Sequence, residues 1–261
     1  MTAPVMLRKI FIILIIVINA AVAVRGVDMS ERFQARIYKS RRYSTLPYRL
    51  LVPVNYDKNN MYPLVLFFHG VGERGSDNLK QLYCGLDIFS NETRMKRYPC
   101  FIVAPQCPAD TKWAEVDWKA DRHTMQKDPT PPLAMSIEIL AELQKEFSID
   151  SRRIYVTGYS MGGFATWEAI QRWPDLFAAA VPVCGGGDEA QAPRLINIPL
   201  WAFHGALDNI VNVRRSRNMI NAIVRAGGMP RYSEYTLATH LSWNFTYSDE
   251  AMFEWLFKQK K

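Results

Sequence analysis

Along this chain, short runs of consecutive apolar residues alternate with longer stretches in which apolar positions recur every three or four residues. The runs at 48–54, 64–69, 101–105, 154–157, 179–183, 200–204 and 231–236 read as strands. Several are almost wholly apolar, as in Leu64-Val65-Leu66-Phe67-Phe68, which is the pattern of a strand covered on both faces. Between them, Leu133, Ile137, Leu140, Leu143 and Phe147 mark one face of an amphipathic helix. Residues 161–172, 213–226 and 249–258 carry the same period. The alternation predicts one α/β domain with a mostly parallel central sheet flanked by helices. Ligands of such sheets bind at the carboxyl ends of the strands, so the residues just after each strand are the ones to question.

The first residues do not fit that alternation. Arg8 and Lys9 precede an apolar run from Ile10 to Ile18, and Ala21-Val22-Ala23 follows. A basic start, about ten apolar residues and an A-x-A end describe a secretory signal peptide, which places the leader at 1–23 and a single domain at 24–261. The formal charge of the chain is +7, and removing the two leader cations lowers it by two. Arg214, Arg215 and Arg217 cluster, and Lys258, Lys260 and Lys261 stand at the end. No basic run interleaves with aromatics as a nucleic-acid groove requires, so no nucleic-acid partner is expected. A surface or polymer that is anionic is the partner this charge suggests. Cys84, Cys100, Cys107 and Cys184 lack zinc spacing, so no metal or cofactor is expected. An exported protein permits disulfides among them, and the spacing does not choose a pairing. Asn91 and Asn244 begin glycosylation sequons.

The candidate chemistry sits at the strand ends. Gly158-Tyr159-Ser160-Met161-Gly162 follows the strand 154–157 and opens a helix, which is G-x-S-x-G in the context of a nucleophile elbow. The glycines allow a turn too tight for side chains, and the helix start favours negative charge developing at Ser160. A serine on such a turn takes its acid and then its base from further along the chain. Of the four histidines, only His204 and His240 follow Ser160, and His204 closes a strand against a turn. His240 is therefore the candidate base. Asp188 and Asp208 both follow strands. Asp208 is favoured because it leaves the penultimate strand, beside the one that delivers His240, and Asp188 reads as a loop or capping residue. The oxyanion of acyl transfer needs two N–H donors. Met161, after the nucleophile, is one candidate, and Val71 in His69-Gly70-Val71-Gly72-Glu73-Arg74-Gly75 is the other, with Gly72 close behind.

With these residues in place, the chain resembles secreted carboxylesterases of the α/β-hydrolase fold. The likeness is to the branch of dienelactone hydrolases, polyhydroxybutyrate depolymerase-like enzymes and feruloyl or acetyl carbohydrate esterases. It rests on His69 to Asn78, Ala104 to Pro108, Gly158 to Gly163, Cys184 to Asp188, Trp201 to Gly205 and His240 to Trp243. The resemblance implies a Ser160–Asp208–His240 triad and no cofactor. The chain departs from it at Thr239, where such enzymes usually carry glycine. The short connection between residues 183 and 200 leaves no room for a large cap domain there. The stretch from Cys107 to Pro132 is expected to wall the site instead. Trp113, Trp118 and Trp243 either stack on a sugar or aromatic acyl group or cover the edges of the core. Glu73 and Arg74 read as a structural ion pair. The expected partner is an ester, small or linked to a polysaccharide, with no membrane engaged once a leader is removed. An oligopeptidase-type serine peptidase and a non-catalytic binding protein on a relict hydrolase fold are the alternatives.

Overall fold

A computed structural model describes residues 28–261, so the leader expected at 1–23 lies outside the described residues. Eight strands form one sheet: β1 (Gln34–Lys39), β2 (Thr45–Leu51), β3 (Tyr62–Phe68), β4 (Phe101–Pro105), β5 (Ile149–Tyr159), β6 (Ala179–Val183), β7 (Trp201–Gly205) and β8 (Arg231–Tyr235). Their spatial order is β1-β2-β4-β3-β5-β6-β7-β8. β2 is antiparallel to β1 and β4, and every pairing from β4 to β8 is parallel.

The apolar strands fill the middle of this sheet. In β3, Leu64, Leu66 and Phe68 point into one core and Val65 and Phe67 into the other, as the two-residue period of a strand requires. The helix Pro131–Glu146 closes the first core. It starts where Thr130 accepts a hydrogen bond from the Leu133 N–H, with proline at the first helical position, where no intrahelical donor is lost. Leu133, Leu140 and Leu143 are buried, and Ile137 and Phe147 pack partly buried against the same core, so the face read from the sequence is the face that packs. Across the sheet, Met252, Phe253 and Leu256 of the helix Glu250–Lys258 close the second core.

Differences from the sequence expectation fall at the edges. β1 is an edge strand whose exposed and half-buried side chains show no apolar run. β5 begins five residues early, through Asp150, Arg152 and Arg153, which bond one another at the sheet's rim. β2 starts at Thr45 and ends at Leu51, before Pro53, whose missing N–H cannot extend the ladder. Only a short 3-10 segment, Glu189–Leu195, lies between β6 and β7, so no cap domain is inserted there. Among the described residues, no helix is long and apolar enough to cross a membrane. All four cysteines are free, Cys84 exposed and the other three buried.

Candidate active site

The parallel register sets Phe68 beside Gly158, so the end of β3 and the end of β5 open at the same level. Ser160 occupies the apex between β5 and the helix Met161–Arg172 with φ 55° and ψ −119°, a strained left-handed conformation for a residue with a side chain. Two neighbours explain how the turn holds. A Cβ on Gly158 would stand 2.5 Å from the Gly162 carbonyl oxygen, and one on Gly162 would stand 2.0 Å from the Phe68 carbonyl oxygen. From below, the Ser160 N–H donates to the Val183 carbonyl at 3.0 Å and faces Cys184 Sγ at 3.3 Å.

Two further strand ends bring their loops to this apex. His240 follows β8, and its Nε2 lies 2.9 Å from Ser160 Oγ. Its Nδ1 donates to Asp208 Oδ2 at 2.7 Å. Asp208 follows β7, and its other oxygen accepts the N–H groups of Ile210 and Val211 at 2.9 Å each. Burial alone would raise the Asp208 pKa. Hydrogen bonds from His204, His240 and the Val211 N–H overcome it and hold the carboxyl well below its ordinary value. The acid and base loops are stitched together where Ala206 N–H donates to Tyr235 O and Leu207 N–H donates to Ala238 O, both at 3.0 Å. Thr239, the departure from the resembled pattern, has φ −86° and ψ −154°, extended backbone that any residue adopts. Ser160, His240 and Asp208 thus form one continuous line of hydrogen bonds. Asp188 stands outside it, accepting the Met125 N–H and capping the segment Glu189–Leu195.

The loop after β3 is rigidly held. His69 is buried, its Nδ1–H donating to the Gly70 carbonyl at 2.6 Å while Nε2 accepts the Cys107 N–H at 3.0 Å. One donor and one acceptor fit the neutral ring, and burial lowers its pKa to about 4. Val71 starts the short 3-10 turn Val71–Glu73 and is partly exposed. Met161 is the first residue of its helix, where the N–H has no intrahelical acceptor. The expected Glu73–Arg74 ion pair does not form. Glu73 instead accepts the Tyr159 hydroxyl at 2.8 Å, and Arg74 donates to the carbonyls of Val71 and Thr111.

The three tryptophans divide. Trp113 is wholly buried against Phe68 and His69 and donates to the His69 carbonyl at 3.2 Å, so it braces the loop after β3 and presents no face to a ligand. Trp243 is 8% exposed, 4.5 Å from the Tyr159 ring and edge-on to His240, which it backs. Trp118 is half-buried, with Lys112 Nζ over its ring. The stretch after Cys107 does flank the acid side. Ala114 and Val116 pack with Phe164 and Val211, and Asp121 reaches Asn212 at 3.5 Å. A cavity of about 470 Å³ opens on that side, lined by Lys119, Ala206, Asp208, Asn209, Ile210 and Asn212. A separate apolar cavity of about 250 Å³, bordered by Arg32, Leu51, Pro53, Met95 and Cys100, contains none of the groups above.

One grouping among the described residues has metal-ligand chemistry: Cys184, Asp208 and His240 offer donor atoms within 4.8 Å of one another. There, His240 and Asp208 are already bonded to each other, and burial drives the Cys184 thiol far above its ordinary pKa. A metal site needs these donors deprotonated, so the set fits a proton relay better than a cage. The basic residues also scatter. Arg215 is buried against Phe164 and bonds His123 and the Ala120 carbonyl, Arg217 pairs with Glu234, and Lys261 Nζ donates to the carbonyls of Asp175 and Leu176.

Comparison with known proteins agrees with this architecture. The prolyl oligopeptidase family matches at residues 135–192, the segment that holds the elbow. A crystal structure of a thermostable esterase superposes with a TM-score of 0.82 at 39% identity, over 89% of this chain and 64% of that one. A bifunctional acetylxylan esterase/xylanase, XynS20E, of Neocallimastix patriciarum is 33% identical over 82 residues, 30% of this chain and 12% of that protein. Feruloyl esterase D of Neurospora crassa is 25% identical over 199 residues, 73% of this chain and 61% of the relative. The chain spans less than two thirds of the length of each of these three. Its fold is the α/β-hydrolase fold, and the proteins it resembles include enzymes named as esterases.

Proposed function

We propose that this protein is an exported carboxylesterase that cleaves its substrate through an acyl-enzyme at Ser160. The observation that carries the reading is the line Ser160 Oγ–His240 Nε2, His240 Nδ1–Asp208 Oδ2, set at a strained strand-to-helix apex. In this scheme, Ser160 Oγ attacks the ester carbonyl as His240 takes its proton. His240 then returns the proton to the leaving alcohol. A water, deprotonated by the same ring, releases the acid. Asp208 stays ionised, fixes the tautomer that leaves Nε2 free to accept, and stabilises the imidazolium that forms. The N–H groups of Met161 and Val71 are the proposed donors to the tetrahedral oxyanion, each worth about 2.7–4 kcal/mol to the transition state.

The substrate side rests on what surrounds the apex. With no cap domain between β6 and β7 and a cavity of mixed polar and apolar lining on the acid side, a bulky alcohol such as a sugar has room to leave. Relatives named for acetylxylan and feruloyl esters support that class. Export is supported by the leader pattern at 1–23. The match to the prolyl oligopeptidase family covers only the segment around the elbow, which peptidases and esterases of this fold share, so it does not move the reading toward peptides.

Ser160→Ala is expected to abolish hydrolysis of short p-nitrophenyl esters and labelling by a fluorophosphonate, while the circular dichroism spectrum is unchanged. Ester turnover surviving in that variant overturns the assignment. A panel of acetylated sugar, feruloyl, hydroxyalkanoate and peptide substrates then ranks the substrate classes.

A further inference from the structure

The carboxylate of Asp208 meets four donors, and one of them has no place in the three-residue scheme. Oδ1 takes the two backbone N–H groups of Ile210 and Val211. Oδ2 takes His240 Nδ1 at 2.7 Å and lies 3.3 Å from Nε2 of a second histidine, His204. His204 is the next-to-last residue of β7 and is wholly buried. Its Nε2 also lies 3.0 Å from the Val211 carbonyl oxygen. Carbonyl and carboxylate oxygens only accept, so a nitrogen held between two of them carries a hydrogen. On the other side of the ring, Nδ1 lies 2.7 Å from Ser216 Oγ, which lies 3.1 Å from the Gly185 carbonyl oxygen. The ring plane is therefore set by β7, the loop after it and the helix Arg214–Arg225 together.

We propose that His204 is a positioning residue for the triad acid, a statement that rests on the esterase reading above. A carboxylate hung from two backbone donors through Oδ1 still swings about its own Cβ–Cγ bond. The His204 Nε2–H, directed at the Val211 carbonyl at 3.0 Å and 3.3 Å from Oδ2, braces Oδ2 from the sheet side, so that it points at His240 Nδ1, which approaches from the partly exposed side. Both ring nitrogens of His204 are engaged away from Ser160, so it orients the acid and takes no proton from the nucleophile. The charged neighbours leave that task to it. Glu234, its register partner on β8, is bound by Arg217 and Tyr232, and Arg215 on the adjacent helix is turned toward His123 and Ala120. The arrangement resembles the outer partners of a metal-bound histidine in its logic: the group touching the reaction is aimed by one that does not touch it.

The test compares His204→Leu, His204→Gln and Ser216→Ala in the full chain, by kcat and KM for a p-nitrophenyl ester, the pH profile of kcat/KM, and thermal melting. His204→Leu is expected to lower kcat by about 10–100-fold with KM nearly unchanged and to displace the acid limb of the profile, the size usual for losing an outer orienting partner. The amide of His204→Gln restores an N–H donor near the Nε2 position and is expected to recover most of that loss. Ser216→Ala, which frees the ring to turn, falls between them. A folded His204→Leu enzyme with wild-type kcat and acid limb overturns the proposal, as does His204→Gln falling as far as His204→Leu. If His204→Leu does not fold, an unchanged kcat and pH profile in Ser216→Ala overturns it instead. These results bear on His204 alone when Ser160→Ala is inactive. Turnover surviving in Ser160→Ala removes the reading on which the proposal stands.

Discussion

At the scale of single residues, the buried histidines repay attention as much as the proposed base. His69 is locked neutral between a carbonyl acceptor and an N–H donor, and its pKa is lowered to about 4 by burial. The half-buried His123 is lowered to about 4 as well, by burial and by Arg215. An unfolded histidine titrates near 6.5, so between about 6.5 and 4 the unfolded chain binds protons that the folded chain refuses. Stability is then complete above that window and falls as the pH drops through it. For His69 the loss approaches about 3 kcal/mol. Urea unfolding from pH 7 to pH 4.5 measures the slope, and His69→Gln is expected to flatten it in part, since His123 remains. An undiminished slope in that variant removes His69 as the cause. Asp208 contributes in the same sense at lower pH: its depressed carboxyl stabilises the fold above the ordinary aspartate range, and that stability is lost as the pH falls below it.

At the scale of elements, the elbow is a junction of three strands with a helix. The Cβ of Gly162→Ala would strike the carbonyl oxygens of Phe68, at 2.0 Å, and His69, at 2.8 Å, both backbone atoms that no side-chain rotation relieves. The expected cost exceeds the roughly 1–3 kcal/mol of ordinary overpacking, because β3 and the loop after it would have to move. Thermal melting and activity together check it. A Gly162→Ala protein that melts and turns over like the wild type refutes the claim that this contact sets the turn. The loop after β3 shows why motif reading reached the right elements and missed some contacts. The glycines and apolar strand were legible as a pattern, whereas the partners of Glu73 and Arg74 depended on Tyr159 and Thr111, which are distant in sequence.

For the whole molecule, the sheet buries both faces of its middle strands and leaves one thiol outside. Cys84 is exposed at the surface, and the partial burial of its sulfur together with the nearby Glu73 charge pushes its pKa up to about 11. Cys100, Cys107 and Cys184 are buried. A thiol reagent is expected to modify one cysteine of the native protein, faster as the pH rises, and four only after unfolding. Modification of fewer than four in denaturant without reductant would show that a disulfide is present, against this arrangement. The basic excess also looks different in three dimensions. Arg215 is buried with its guanidinium on the Ala120 carbonyl, Arg217 is paired with Glu234, and Lys261 lies on two backbone carbonyls.

What the sequence determined by itself is what short-range patterns encode. The apolar runs marked seven of the eight strands, the three-to-four spacing marked the four longest helices and none of the short ones, and the order of serine, acid and histidine marked three loops that the sheet brings together. Edge strand β1 escaped because an edge needs no continuous apolar run. Tertiary structure alone decided which tryptophans are core, since Trp113 and a ligand-stacking tryptophan have the same side chain and differ only in what covers them. It alone set His204 against Asp208, a contact four residues apart in the chain but aimed by Ser216 and Val211 from other segments. Periodicity records which faces are apolar. Only packing fixes which polar atoms meet, because a hydrogen bond depends on angles and distances that several elements set at once.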